Sequence, residues 1–268
     1  MLPLRDNIPT SRAPVVTYAF IVANVLIYFL WQRGGISPGP EDTEYMQHLV
    51  DWAAIPYEFV NPGDHCELVD PATGAIACEG QPGVTGTAGP QPPTWATPFS
   101  SMFMHGSLLH LGGNMLFLWI FGNNVEDSMG PVKFVIFYVL AGLAALALQT
   151  LIGVVTDENL AVPTVGASGA IAGVLGAYLV LFPRARVVTV VFIVFFFTIL
   201  ELPALLVLGL WFLQQALFGY FDIAQPSAEG GGVAYFAHIG GFLFGLLTIR
   251  TFANRQRPKR PPSPFVPR

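Results

Sequence analysis

The sequence predicts an all-α polytopic membrane protein with six transmembrane helices and a long outer loop between the first and second. Three observations lead there. Of the 268 residues, 53% are hydrophobic and only 11% are charged, against about 25% charged in soluble domains. Mean hydropathy is +0.57, carried by several long apolar runs. The cations are also unevenly placed. Arg5, Arg12, Lys133, Arg184, Arg186, Arg250 and five tail cations through Arg268 fall on one side of the expected spans, leaving only Arg33 on the other. By the positive-inside rule both termini are then cytoplasmic. A formal net charge of −5 argues against a nucleic-acid partner; the surroundings are a lipid bilayer.

In chain order, residues 1–14 read as a short, disordered cytoplasmic lead. Residues 15–31 form the first span, retained in the membrane because no small-residue cleavage site follows it; a signal peptide is the alternative. Residues 32–98 are rich in Pro, Gly and acidic residues and read as an outer loop without an independent core, with 85–93 irregular. Residues 99–252 hold the remaining spans. The second runs from about Ser101 to Gly122, and Asn123 to Lys133 is a polar turn. The third covers about Phe134 to Val155, and the fourth about Val165 to Phe182. Residues 187–221 are too long for one span and too short for two. Pro203 to Phe221 is taken as the fifth, preceded by an interfacial or re-entrant stretch whose β-branched content also permits a strand hairpin. The sixth runs from Tyr235 to Phe252. Residues 253–268 form a basic cytoplasmic tail.

This topology places three polar groups at one depth, near the outer surface. Ser168 opens the fourth span in Gly166-Ala167-Ser168-Gly169. His238 opens the sixth in Ala237-His238-Ile239-Gly240-Gly241. His105, His110 and Asn114 lie in the outer half of the second. Had residues 187–221 crossed twice, His238 would face the opposite side. Buried polar groups in lipid need partners, and ionisable residues in a span mark function.

Gly169 and Gly173, like Gly241 and Gly245, recur every four residues, a spacing that lets helices approach closely in membranes. Serine needs a base to become a nucleophile, and histidine has the right unperturbed pKa. The helix N-terminus at Ser168 favours developing negative charge. His110 and Asn114, four apart, share a helix face and both offer donors. Each element also has a structural reading: a lone serine bonds its own helix, a lone histidine is a hydrogen-bonder, and glycines pack. A metal on His105 and His110 is disfavoured by their five-residue spacing. Together they point to a serine nucleophile with a histidine base.

These residues resemble the rhomboid family of intramembrane serine proteases. His105-x4-His110-x3-Asn114 matches the family's second-helix motif, Gly166-Ala167-Ser168-Gly169 its GxSG motif, and Ala237-His238-x2-Gly241-x3-Gly245 its last-helix motif. The run Phe117 to Asp127, with Gly122 and Glu126-Asp127, is similar to the second helix and the turn after it. The resemblance implies a Ser168–His238 dyad without an essential acid. It also implies an oxyanion hole made by His110, Asn114 and the Ser168 N–H, and no cofactor. Substrates would be single-span membrane proteins cut in or beside the membrane, reached through a water-filled cavity open to the outside.

The chain departs from the family in lacking a Trp-Arg pair in the first outer loop, since Trp52 is followed by Ala53. Cys66 and Cys78 lie in that loop, where an oxidising compartment favours a disulfide; free thiols or metal binding are the other readings. That loop, and the lack of an organelle-type presequence, point to a bacterial plasma membrane. A proteolytically silent rhomboid-like binder or escort would not need both Ser168 and His238. A channel or transporter would place polar residues along the midplane of several helices, and few are present. Gln149, Gln214 and Gln215 read as interhelical hydrogen-bonders.

Overall fold

The computed structural model describes residues 1–36, 42–70, 74–156, 160–193, 196–224 and 233–254. The basic tail and the loop joining the last two helices therefore fall largely outside the described residues. Helix α1 (Val15–Leu26) ends in a π turn, Ile27–Trp31. Helix α5 (Leu108–Phe117) passes through a second π turn, Leu118–Gly122, into α6 (Asn123–Met129). Gly130, at φ 87°, breaks the chain there, and Pro131 opens α7 (Pro131–Thr156). Then come α8 (Ser168–Leu181), α9 (Ala204–Ala224) and α10 (Tyr235–Phe252). Helices α7, α9 and α10 are each long and apolar enough to cross a membrane.

Helix α8 is the centre of the bundle. Every residue from Gly169 to Tyr178 is buried. At 14 residues it is about 21 Å long, shorter than a hydrocarbon core of about 30 Å. Its glycines let α10 lie against its backbone. A Cβ on Gly241 would sit 1.9 Å from the Gly169 carbonyl oxygen, and one on Gly245 would sit 1.9 Å from that of Gly173. On the other side, Gly169 and Gly173 meet Ala145 and Ala141 of α7. Without a hydrophobic drive between helices in lipid, this close packing is what holds them together.

Helix α1 is anchored electrostatically. The Glu126 carboxylate of α6 accepts from Val16 N, Thr17 N and the Thr17 hydroxyl at 3.0, 2.8 and 2.7 Å. It satisfies amides that have no partner inside the helix and places negative charge at the positive end of the dipole. Beside it, Asp127 accepts from the Ser11 backbone and hydroxyl.

Five expectations from the sequence are corrected. The protein is mostly helical but not all-α. Strand β4 (Arg186–Ile193) pairs antiparallel with β5 (Phe196–Pro203), and β1 (Leu2–Asp6) adds to the free edge of β4 in the order β1-β4-β5. The run Val187-Val188-Thr189-Val190-Val191 suits a pleated strand better than a helix. The N-terminal lead is thus ordered rather than disordered. Besides pairing with β4, it sends the Asp6 carboxylate to the Tyr178 hydroxyl and the Asn124 amide.

The outer loop, thirdly, has structure of its own: α2 (Thr43–Trp52), α3 (Pro56–Val60), the hairpin β2 (Cys66–Asp70)/β3 (Ala75–Cys78), and α4 (Thr97–Ser100). Val50, Ala53, Ile55 and a Cys66–Cys78 disulfide form a small separate core. Lastly, the second span does not begin as an α-helix at Ser101. Ser101–Phe103 is a single 3-10 turn, and α5 starts only at Leu108, capped by the Ser107 hydroxyl accepting from His110 N. His105 therefore precedes the helix, whereas the expected polar turn at 123–133 is helical through Met129.

Candidate active site

Ser168 stands at the first position of α8 because Gly166 turns the chain sharply, at φ 116°, just before it. This left-handed conformation favours glycine, and space demands it too. A Cβ there would lie 2.8 Å from Cε1 and Nε2 of His110. The turn is held by neighbouring segments: Gly166 N donates to Ser101 O at 2.8 Å, and Thr164 pairs with Ala54 through two backbone hydrogen bonds of 2.9 and 3.2 Å. The small disulfide-bonded core packs on Ala161 and Val165 of the same segment.

His238 sits in the first turn of α10, whose N-terminus is tied to α7 by Gln149 Oε1 accepting from Ala237 N at 3.1 Å. The glycine contacts between α8 and α10 bring His238 Nε2 to 2.8 Å from Ser168 Oγ. The other ring nitrogen, Nδ1, is 2.8 Å from Gln215 Oε1 on α9. An amide oxygen accepts, so a proton on Nδ1 would satisfy it and leave Nε2 with a lone pair for the serine hydroxyl. Trp211, one turn from Gln215, lies against the ring with centroids 5.8 Å apart.

His110 and Asn114 come from α5. Gly106 N donates to His110 Nδ1 at 3.3 Å, so the proton of a neutral His110 is on Nε2, the atom beside Gly166. The Asn114 amide nitrogen is buried and has no hydrogen-bond partner among the described residues. The first amides of α8, from Ser168 onward, likewise have no carbonyl to bond within the helix. His105 is fully buried behind His110, with its ring edge-on at 5.1 Å. Its backbone is clamped by Gln32 on both sides and by the Tyr45 hydroxyl. Neither of its ring nitrogens has a hydrogen-bond partner among the described residues, and it meets the site through the His110 ring.

A cavity of about 590 Å³ joins these groups, with Ser168, His238, His110, Asn114, Trp211 and Asp222 on its wall. The arrangement can take a proton from Ser168 at His238 Nε2 and offer donors to an oxyanion beside it. Among the described residues no group of three or more His, Cys, Asp or Glu is placed to hold a metal ion. Sequence reasoning named Gln215 without its partner and passed over Trp211. Their four-residue spacing, placing both on one face of α9, was the available signal.

A family model described as the Rhomboid domain matches residues 92–255. Rhomboid protein 1, mitochondrial, of Saccharomyces cerevisiae is 31% identical over 163 residues, or 60% of this chain and 43% of the yeast protein. Presenilin-associated rhomboid-like protein, mitochondrial, of Mus musculus is 32% identical over 152 residues, 56% of this chain and 36% of its own length. Rhomboid protease GluP of Bacillus subtilis is 27% identical over 166 residues, 62% of this chain and 24% of that protein. The chain thus spans less than half the length of each of these relatives. With the domain match extending over more than half of its residues, the chain belongs to the rhomboid family.

Proposed function

We propose that this membrane protein is an intramembrane serine endopeptidase acting on single-span membrane proteins. The observation that carries the reading is the 2.8 Å contact between Ser168 Oγ and His238 Nε2 on the wall of a cavity of about 590 Å³. As His238 Nε2 removes its proton, Ser168 Oγ attacks the scissile carbonyl carbon of an extended substrate segment. The carbonyl oxygen becomes an oxyanion, met by the Asn114 amide, His110 Nε2–H and the Ser168 backbone N–H. Collapse of the intermediate breaks the C–N bond, and the proton on His238 passes to the leaving amine. Water, deprotonated in turn by His238, hydrolyses the acyl-serine and restores the hydroxyl. No acid or metal is required.

The unpartnered Asn114 nitrogen supports this assignment. A buried donor without an acceptor is costly, and an oxyanion bound only as the reaction proceeds gives it a partner where rate is gained. Residues 99–252 are the catalytic core in this reading, with 15–31 the first of six spans. Residues 1–14 and 253–268 are cytoplasmic, and 32–98 lie outside. The Cys66–Cys78 bond supports an oxidising outer face, and the plasma membrane is the proposed location.

The test uses purified full-length protein in detergent with a fluorophosphonate probe and a single-span reporter. Labelling and cleavage are expected in the wild type and lost in Ser168→Ala and His238→Ala. A folded wild type that neither labels nor cleaves would instead point to a silent binder.

A further inference from the structure

A neutral histidine has two tautomers, and only one can take a proton at the nitrogen facing the serine. The protonated nitrogen is fixed by whatever the far side of the ring bonds to. Here that partner is an amide oxygen. Gln215, buried on α9, places Oε1 2.8 Å from His238 Nδ1, on the side of the ring opposite Ser168. Trp211, one turn earlier on the same helix, lies against the ring at a tilt of 38° with centroids 5.8 Å apart. The two side chains fix both the tautomer and the tilt of the imidazole.

We propose that Gln215 is the positioning residue of the base: a neutral third member that holds His238 in the Nδ1–H tautomer with Nε2 aimed at Ser168. The inference rests on the serine-protease reading above and adds to it. A carboxylate at this place would also accept from Nδ1, but a lone anion buried among apolar helices is expensive to desolvate. An amide supplies the same acceptor without charge. The orientation of that amide matters. Turned the other way, its NH2 group would face Nδ1, force the proton onto Nε2 and leave the serine without a base. The other titratable groups on the cavity wall are His110 of α5 and Asp222 of α9, and neither is hydrogen-bonded to the His238 ring.

The test compares Gln215→Leu, which removes the acceptor, with Gln215→Glu, which keeps one. Gln214→Leu, on the exposed side of α9, serves as the folding control. Partners that orient a functional histidine are worth about 10–100-fold. Gln215→Leu is therefore expected to lower the fluorophosphonate labelling rate and the reporter kcat by about 10–100-fold with KM unchanged. Gln215→Glu should restore most of the loss. Nitrogen-15 NMR of labelled histidine gives a direct reading: His238 carries its proton on Nδ1 in the wild type and shifts toward Nε2–H in Gln215→Leu.

Wild-type labelling that persists at full rate in Gln215→Leu, or an Nε2–H tautomer in the wild type, would overturn the positioning role alone. A wild type that fails to label would overturn the protease reading and this inference with it. If Gln215→Leu does not fold, the wild-type tautomer and the activity of Gln215→Glu still decide the matter.

Discussion

Gly245→Ala tests whether helix contact sets the catalytic geometry at a distance. Gly245 lies seven residues beyond His238 on α10 and touches nothing in the cavity. Its added methyl would meet Gly173 O at 1.9 Å, whereas carbon and oxygen sit comfortably at about 3.3 Å or more. The two helices must therefore part by about 1.4 Å at this level. The obstacle is backbone, so no side chain can swing aside. Carried to the top of α10, such a shift stretches the 2.8 Å Ser168–His238 contact beyond hydrogen-bond reach. A displacement of about 1 Å costs on the order of 100-fold in rate, and overpacking costs about 1–3 kcal/mol of stability. The assay is fluorophosphonate labelling rate and thermal unfolding, each against the wild type. Gly209→Ala on α9 is the control, because its Cβ would meet nothing within 4 Å and should label normally. A Gly245→Ala protein that labels and melts like the wild type would show that α8 and α10 are not in backbone contact.

Replacing both Cys66 and Cys78 by serine should free the outer unit by about 3 kcal/mol on the chain-entropy account, seen as faster limited proteolysis within residues 43–98. Because this unit pairs with Thr164 just before the Gly166 turn, labelling of Ser168 should slow as well; equal protease resistance with and without the bond would refute the role. The Asp6 carboxyl is pushed up from 3.8 to about 6, chiefly by burial, with bonds from Tyr178 and Asn124 opposing. The folded state then holds an extra proton between these values. Stability contributed by Asp6 is full below about pH 4 and is lost as pH rises through about 6, by about 3 kcal/mol at most. Melting temperature in detergent should fall over that window, and Asp6→Asn should flatten the slope. Part of it remains, since burial also raises Asp51 and Glu58; an identical slope in Asp6→Asn would refute the assignment.

The helices and the residues around the cavity were legible in the sequence because each carries a local signal. Tyr235–Phe252 is the same segment in sequence and structure, an apolar run between a polar stretch and a basic one. Ser168, His238, His110 and Asn114 stood out as polar groups where lipid tolerates few. The β-sheet was not legible in the same way. The β-branched run Val187-Val188-Thr189-Val190-Val191 permits a strand, but periodicity does not separate a buried strand from a buried helix. What decides is pairing at a distance: Leu2 opposite Val190 and Val188 opposite Glu201. The ordered N-terminus has the same origin, since Ser11 and Asp6 are held by Asp127, Tyr178 and Asn124.

Gln215 falls between these cases, and it shows where local reading ends. A glutamine in a span announces a hydrogen bond, but Gln214 and Gln215 announce it equally. Which one reaches His238 depends on the rotation of α9 about its own axis. That rotation is set by Trp211, which packs on His238 and Phe242, and by Phe212, which stacks on Phe242 at 4.6 Å. The aromatic pair thus selects Gln215 over its neighbour. A change at Phe212 that turned α9 about its axis so that neither amide faced His238 would remove the acceptor from the base, with Ser168 and His238 still in place.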